Sequence, residues 1–460
     1  MIKGKLKLPA PDKPRRVFPD RLGSLVSGFE GKDEEIEGSD CEFEPGKELE
    51  PIQPNGLGCE RESDVDNEVN DEDVDAKVRQ RPAEDGVNPV SVLKAIVMDE
   101  KRSDLEHELS QREINMEKLQ RIASTGIPDG GSLRATTWKL LLGFLPSSRE
   151  LWDKELKESR QKYAQLKEEV LQDPPECTWK QEGESSSAMQ QENSDVDGTL
   201  RRHEISQEDH PLSSCKASLW REYFRYTELV AQIDRDLLRT HPDMPFFSGD
   251  SPLSRKNKEA MKNILLLFAR LNPAIRYVQG MNEVLSPIYY VFSTDTDKEN
   301  AANAEADSFS CFVRILSDSV DHFCQQLDSS SSGILSTLSR LSDLLQVNDE
   351  ELWRHLDFKT KVKPQFYAFR WITLLLTQEF SLDKILRIWD TLLSNPFGIQ
   401  DMLLRICCAM LLCVKKRIMS GDFVSNLNLL QHYPDDINIE YLLQVAQDIS
   451  PDTSSNCLSM

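Results

Sequence analysis

The chain has 460 residues, of which 39% are apolar and 29% charged, enough to bury the core of one large domain or of two ordinary domains with tails. Its ten cysteines form no Cys-x-x-Cys pair, so neither a zinc site nor a disulfide framework is indicated. The N-terminal residues lack the pattern of a secretory leader, and no apolar run reaches the ~18 residues of a membrane span. We therefore expect a soluble protein of the cytosol.

The net charge of −23 is concentrated near the N-terminus. Residues 30–75 contain 19 acidic and 3 basic side chains, a block that repels itself and buries little apolar surface. We expect residues 1–85 to be a disordered tail, in which a basic arm over the first 21 residues precedes the acidic tract. The arm could contact an anionic membrane or a partner, or it could remain solvated and pair loosely with the acidic tract.

Helical periodicity begins after this tail. Apolar residues recur at three- and four-residue steps from Val90 to Ser124, which predicts a helical lead-in over residues 86–112 and the start of a domain near residue 113. The segment Gly126–Gly131 interrupts the pattern. Further helices are predicted over Ala135–Leu145 and about Ser148–Leu171.

Residues 176–209 are rich in Ser, Glu and Gln and predict a disordered insertion within the domain. After it, apolar residues at helical spacing predict three more helices before residue 290. No run of strict alternation with turn pairs indicates a strand. We predict an all-α fold: a single multi-helix domain over residues 113–435, followed by a C-terminal helix and tail over 436–460.

Two short motifs carry the clearest chemical signal. The first, Ile233-Asp-Arg-Asp236-Leu-Leu-Arg239-Thr240, ends a helical pattern with an arginine, and His241-Pro242 then stops the helix. The second, Tyr277-Val-Gln279-Gly-Met-Asn282, presents a glutamine just before a glycine. An exposed arginine and an exposed glutamine are the side chains that GTP hydrolysis requires, one for charge on the transferring phosphoryl group and one to orient water.

The pattern Ile-x-x-Asp-x-x-Arg followed by Tyr-x-Gln-Gly-Met-Asn resembles the two finger motifs of the TBC domain, the family of Rab GTPase-activating proteins. Further landmarks stand in the order of that family and extend the resemblance from about residue 113 to about residue 435. These landmarks are Gly126-Ile-Pro128, Arg134, Trp138, Pro364-Gln-Phe-Tyr-Ala-Phe-Arg370-Trp371 and Arg387-Ile-Trp389-Asp390. The stretch Glu208-Asp-His-Pro-Leu212 and the second half are similar to the subgroup of TBC domain family member 13.

The resemblance implies that Arg239 and Gln279 are catalytic in trans. The arginine would stabilise charge at the γ-phosphate, and the glutamine would replace the water-orienting glutamine of the GTPase. The residues with implied supporting roles are Asp236, Tyr277, Gly280, Asn282 and Glu283. On spacing alone, Arg239 could instead be a surface arginine that complements the helix dipole, and Gln279 could be a helix-capping residue.

The resemblance also implies the partner. The chain would bind a Rab-family small GTPase in its GTP state and would carry no cofactor of its own, because GTP and Mg²⁺ belong to the GTPase. It would act as an activator without independent turnover, in the cytoplasm, with peripheral contact to endomembranes through the GTPase and no nucleic-acid partner. Two alternatives remain: a catalytically silent TBC scaffold that binds a small GTPase, and an interaction protein that works through its acidic tail.

Polar and aromatic landmarks within apolar helices are expected to be structural, because Arg and Trp stack and bind carbonyls or carboxylates in helical domains. This set comprises Arg134, Trp138, Arg370, Trp371, Arg387, Trp389 and Asp390. Arg387 and Asp390, at i and i+3, are predicted to form an ion pair. No metal site is predicted, since His107-Glu-Leu-Ser-Gln111 lacks the second histidine of a zinc helix, and no phosphate-binding Gly-x-x-x-x-Gly-Lys loop is present.

Overall fold

The computed structural model describes residues 89–171, 219–323, 330 and 333–450. Over these ranges the chain folds into α-helices joined by turns, and it forms no strand there beyond an isolated bridge between Glu113 and Ser148. The all-α prediction is therefore confirmed. The predicted tail over residues 1–85 and the predicted insertion over residues 176–209 lie outside the described residues.

The described helices are numbered in chain order. They are α1 Pro89–Ser110, α2 Met116–Ser124, α3 Leu133–Leu141, α4 Trp152–Val170, α5 Leu219–Arg239, α6 Pro252–Leu271, α7 Met281–Ser293, α8 Lys298–Ala302, α9 Ala304–Ser319, α10 Ile334–Asn348, α11 Glu350–Arg354, α12 Ala368–Thr373, α13 Leu382–Ser394, α14 Ile399–Cys413, α15 Lys415–Ser420, α16 Phe423–Gln431 and α17 Ile439–Asp448. Short 3₁₀ turns occupy Arg149–Leu151, Val320–Phe323 and Pro364–Phe366, and a π turn, His355–Lys359, follows α11.

The helical pattern predicted from Val90 to Ser124 is divided into α1 and α2. The Glu108 carboxylate accepts a hydrogen bond from the Asn115 backbone N at 2.8 Å, and the Asn115 side chain caps α2 by accepting from the Lys118 backbone N at 3.0 Å. A side-chain cap of this kind satisfies backbone donors that a continuous helix would have paired internally, so the two helices can meet at an angle. The next two helices, α3 and α4, begin within a few residues of their predicted starts.

Two buried helices organise the core. The helix α9 packs against α4, α6 and α7, whereas α14 packs against α10, α13 and α17. The helix α13 joins these groups, since it also contacts α2, α3 and α7. The last helix, α17, lies beyond the domain end predicted at residue 435, yet its Leu442, Leu443 and Ala446 are buried in this core.

The helix α14 contributes buried side chains along most of its length. Cys407 and Cys408 lie on this buried face, and burial raises the pKa of Cys408 to about 12. Such thiols are almost entirely protonated near neutral pH and serve as small apolar groups. Across the described ranges, no helix combines the length and the apolar character required to cross a bilayer.

Candidate functional site

The end of α5 presents Arg239 at the surface. The helix ends at Arg239, as predicted, and His241 follows with a φ of 41°. The His241 ring packs on Phe247 with a centroid distance of 5.2 Å, and its Nε2 lies 3.0 Å from Ser286 Oγ on α7. The chain after the helix is thus fixed to α7, while the Arg239 side chain remains 55% exposed.

Asp236 holds the guanidinium of Arg239 from one helical turn before it. Arg239 Nη2 donates to Asp236 Oδ1 at 2.6 Å, although the Asp236 side chain is only 6% exposed. The second carboxylate oxygen accepts from the Tyr277 hydroxyl, also at 2.6 Å. Burial, and then the charge of Asp236, raise the pKa of Tyr277 well above its ordinary value, so this hydroxyl stays protonated and donates to the carboxylate.

The turn before α7 places Gln279 at the surface. Gly280 is the N-cap of α7 and has a φ of 102°, a conformation that favours glycine. A Cβ at this position would also lie too close to Cδ2 of Leu374, so a larger residue would displace that side chain. Because the backbone turns sharply at Gly280, the preceding Gln279 side chain stays exposed while the following Met281 is buried.

Asn282 connects this turn to the end of α5. Its Nδ2 donates to Thr240 Oγ1 at 2.8 Å and to Glu283 Oε1 at 3.1 Å, and its Oδ1 accepts from the Gly280 backbone N at 3.1 Å. The Tyr277 hydroxyl lies 3.1 Å from the same Oδ1. The two predicted motifs, about forty residues apart in sequence, are therefore joined by one buried hydrogen-bond network.

Arg239 and Gln279 both line a cavity of about 530 Å³. Its opposite wall comes from the second half of the chain, with aromatic and polar side chains of α12, of the segments just before and after it, and of the end of α16. These residues include Gln365, Phe366, Tyr367, Phe369, Arg370, Gln378, Gln431 and His432. The cavity therefore presents one exposed cation and one exposed carboxamide on a single rim, faced by a mixed apolar and polar wall.

Glu283 is the buried carboxylate of this cavity. It is 5% exposed and lies in the first turn of α7. Burial raises its pKa to about 7, an effect partly offset by a hydrogen bond with Gln378 and by the charge of Arg239. Near neutral pH, Glu283 can thus exist in both its ionised and its protonated form.

A second polar cluster lies away from the cavity and surrounds Asp390, which is fully buried. The Asp390 carboxylate accepts from Trp138 Nε1 at 2.8 Å, from the Ile127 backbone N at 3.0 Å and from Arg134 Nε at 3.2 Å. The Trp138 ring packs against Trp389 with a centroid distance of 5.7 Å. These contacts hold the opening segment against α13.

The predicted ion pair between Arg387 and Asp390 is wrong. Arg387 instead donates Nε and Nη2 to the two carboxylate oxygens of Glu440 on α17, at 2.8 and 2.9 Å. Asp390 points into the core toward Arg134, whereas the Arg387 side chain, 17% exposed, packs against Gly126 and donates to Thr391 Oγ1 at 2.7 Å. Helical spacing brings two side chains onto neighbouring faces, but tertiary partners from other elements decide which pair forms.

The landmarks Arg370 and Trp371 differ in environment. Trp371 is fully buried between the rings of Tyr367 and Tyr433, at centroid distances of 5.0 and 5.9 Å. Arg370 binds both carboxylate oxygens of Glu379 at 2.7 and 3.0 Å, and it also lines the cavity. Arg370 thus forms an ion pair and also lies on the cavity wall, a position that the sequence did not indicate.

The sequence did not predict the second-half wall of the cavity. Gln378, Gln431 and His432 do not belong to a recognisable sequence motif, and they lie about a hundred residues or more from the two finger motifs. Thr240 was also missed, although it directly follows Arg239 and accepts from Asn282. A polar residue just past a helix end is a general signal for local hydrogen bonding and could have identified it.

Comparison with known proteins matches residues 213–419 to the family model described as the Rab-GTPase-TBC domain. The chain is 34% identical over 384 residues to TBC1 domain family member 13 of Homo sapiens, covering 70% of this chain and 91% of that protein. The mouse protein of the same name is also 34% identical, over 386 residues. The solved Ypt/Rab-GAP domain of Gyp1p superposes with a TM-score of 0.58 at 23% identity, covering 76% of this chain and 97% of that one. The chain belongs to the Rab-GTPase-TBC domain family.

Proposed function

We propose that the chain is a GTPase-activating protein for a Rab-family small GTPase and that it supplies Arg239 and Gln279 to the partner's active site. The observation that carries the proposal is the exposure of both side chains on the rim of one cavity, above one shared buried network. Membership of the family supports the choice of a Rab GTPase as partner. Nothing in this proposal requires a cofactor bound by the chain itself.

The chemistry divides between the two proteins. The GTPase carries GTP and Mg²⁺, and its active site lacks positive charge near the γ-phosphate. The guanidinium of Arg239 would supply that charge as it develops, and the Gln279 carboxamide, which can both donate and accept, would orient the attacking water. An arginine supplied in trans contributes about 10³–10⁵ in rate in well-studied GTPases.

The remaining residues of the network would position these two. Asp236 binds one edge of the guanidinium and limits the conformations that Arg239 can adopt before the partner arrives. Tyr277 and Asn282 hold Asp236, Thr240 and the turn at Gly280 together. Because the network is buried, its geometry is set in advance, and such preorganisation lowers the reorganisation required in the transition state.

The proposed partner is in its GTP state, and the proposed place of action is the cytoplasmic surface of endomembranes, reached through the GTPase. The alternative of a catalytically silent scaffold differs in one respect. A scaffold would bind a GTPase through the same surface but would not depend on the chemistry of Arg239 and Gln279. Two exposed reactive side chains on one rim favour the activator.

A panel of GTP-loaded Rab proteins, assayed for single-turnover hydrolysis with and without this chain, tests the proposal. At least one Rab should respond, and that Rab should still respond when its own water-orienting glutamine is substituted, because Gln279 would replace it. Gln279→Ala should abolish the response of the substituted Rab. The matched control is Gln444→Ala, at an exposed position on α17. Binding without acceleration by any Rab would favour the scaffold.

A further inference from the structure

Glu283 is a buried carboxylate without a cation committed to it. The nearest charged groups are Arg239 and Asp236 of α5, and Arg239 already donates to Asp236. The cavity wall also carries Arg370, which is paired with Glu379, and the titratable side chain of His432. Gln378, from the segment after α12, contributes a neutral hydrogen bond to Glu283. Buried carboxylates without a dedicated partner are costly, so this position requires an explanation beyond packing.

The hydrogen bonds of Asn282 explain why a carboxylate is buried at position 283. An asparagine amide offers two N–H donors on one side and one oxygen acceptor on the other. Here both donors have acceptors, Thr240 Oγ1 and Glu283 Oε1, and the oxygen accepts from the Gly280 backbone N. With the amide reversed, its NH₂ group would face the N–H of Gly280, and two donors cannot pair. The Gly280 N–H therefore fixes which way the Asn282 amide points. In this orientation the Glu283 carboxylate accepts from the Asn282 Nδ2 group.

We propose that Glu283 is a positioning residue for both fingers, because its ionised carboxylate holds the Asn282 amide and, through it, the Gln279 turn and the end of α5 that carries Arg239. The inference rests on the proposed GTPase-activating function and deepens it. Glu283 does not contact the reacting atoms in this account. The Glu283 carboxylate acts in two ways: it accepts a hydrogen bond from Asn282, and its charge attracts Arg239 toward the cavity.

The positions of Asn282 and Arg239 should therefore depend on pH. The protonated carboxyl of Glu283 carries a donor hydrogen, attracts Arg239 less and is a weaker acceptor for Asn282. Since burial raises the pKa of Glu283 to about 7, this change occurs close to neutral pH. Acceleration of hydrolysis should therefore be low at pH 6 and should rise as the pH increases to 8.

The test is single-turnover hydrolysis by a responsive Rab between pH 6 and pH 8, with each rate divided by the intrinsic rate of the same Rab at the same pH. Wild-type protein should show acceleration that rises by about tenfold, the change in the ionised fraction for a pKa near 7. Glu283→Gln keeps an oxygen that can accept from Asn282 but carries no charge, so its profile should be flat. Glu350→Gln, which removes an exposed carboxylate on α11, should keep the wild-type profile. A flat wild-type profile, or the wild-type slope in Glu283→Gln, would overturn the proposal.

A second measurement separates this proposal from the proposed function. The methyl group of Met281 lies in the same turn, with its sulfur 3.4 Å from the Val278 backbone N, and it can be observed by methyl-labelled NMR of the full chain. Its resonance should titrate with a midpoint near 7 in wild-type protein and should not titrate in Glu283→Gln. If no Rab responds at any pH, the proposed function fails, and the methyl titration alone then decides whether Glu283 sets the conformation of the turn. Absence of that titration in wild-type protein would refute the positioning role.

Discussion

Two arginine–aspartate pairs in this fold differ in how far the arginine is buried and therefore in what the pair does. In the pair at the cavity, Asp236 is buried but Arg239 keeps 55% of its side chain exposed. In the pair that braces the opening segment, Asp390 is fully buried and Arg134 is only 14% exposed. Both aspartates also bind an aromatic donor, Tyr277 in the first pair and Trp138 in the second.

The difference lies in how many of the guanidinium donors are used. Arg134 binds Asp390, the Ile127 carbonyl and Asp129, so its donors are taken up by the protein itself. Arg239 donates one edge to Asp236 and directs the rest of the group toward solvent at the cavity rim. The same pair of residue types thus braces the fold in one place and presents a cation to a partner in the other. Burial of the arginine, rather than of the aspartate, separates the two roles.

Asp390→Ala should produce the largest loss of stability, because it leaves the Arg134 guanidinium, the Trp138 N–H and the Ile127 N–H without their buried acceptor. We expect the free energy of unfolding to fall by about 3–5 kcal/mol, as measured by urea denaturation. Asp129→Ala removes an exposed partner of the same arginine and should cost no more than about 1 kcal/mol. Equal effects of the two variants would show that Asp390 is not the brace.

Glu283→Gln should change how stability depends on pH. The pKa of Glu283 is raised in the folded state, from 4.5 to about 7, so the folded protein binds this proton more tightly than the unfolded chain does. Wild-type protein should therefore lose stability from this group as the pH rises from 4.5 to 7. The variant lacks that loss, and its stability relative to wild type should increase by up to about 3 kcal/mol over this range. If the difference in unfolding free energy between Glu283→Gln and wild type stays constant from pH 5 to pH 8, the pKa of Glu283 is not raised in the folded protein.

Glu440→Gln should have the smallest effect and sharpens the contrast with Asp390. Its carboxylate binds Arg387 through two hydrogen bonds, but Glu440 is 66% exposed. Arg387 is only 17% exposed, but it keeps Thr391 as a partner, and the replaced carboxylate is itself exposed, so the loss should be about 1 kcal/mol and should be screened by salt. Thermal unfolding at low and high salt should show a small loss that diminishes with salt. A loss as large as that of Asp390→Ala would mean that Arg387 anchors α13 after all.

Sequence patterns predicted the local features of this protein correctly but not the contacts between distant elements. Helical periodicity and the stop at His241-Pro242 correctly predicted the fold class and the end of α5 at Arg239, because both depend on local geometry. The same local reasoning paired Arg387 with Asp390 and failed, since the actual partners, Glu440 and Arg134, lie on other helices. The cavity wall that faces Arg239 could not be predicted either, because it is formed by residues far along the chain that only the tertiary fold brings to this cavity.

The most direct test of the central claim compares activity and stability in Arg239→Ala. Arg239 is 55% exposed, and the buried Asp236 keeps the Tyr277 hydroxyl as a donor when the arginine is removed. The melting temperature of Arg239→Ala should therefore fall only slightly, while single-turnover hydrolysis by a responsive Rab falls by about two or more orders of magnitude. Arg239→Lys should recover little of the loss, because a point charge does not reproduce the planar guanidinium. Loss of less than about threefold in a variant that still binds the Rab would contradict the account and leave Arg239 as a surface arginine that ends a helix.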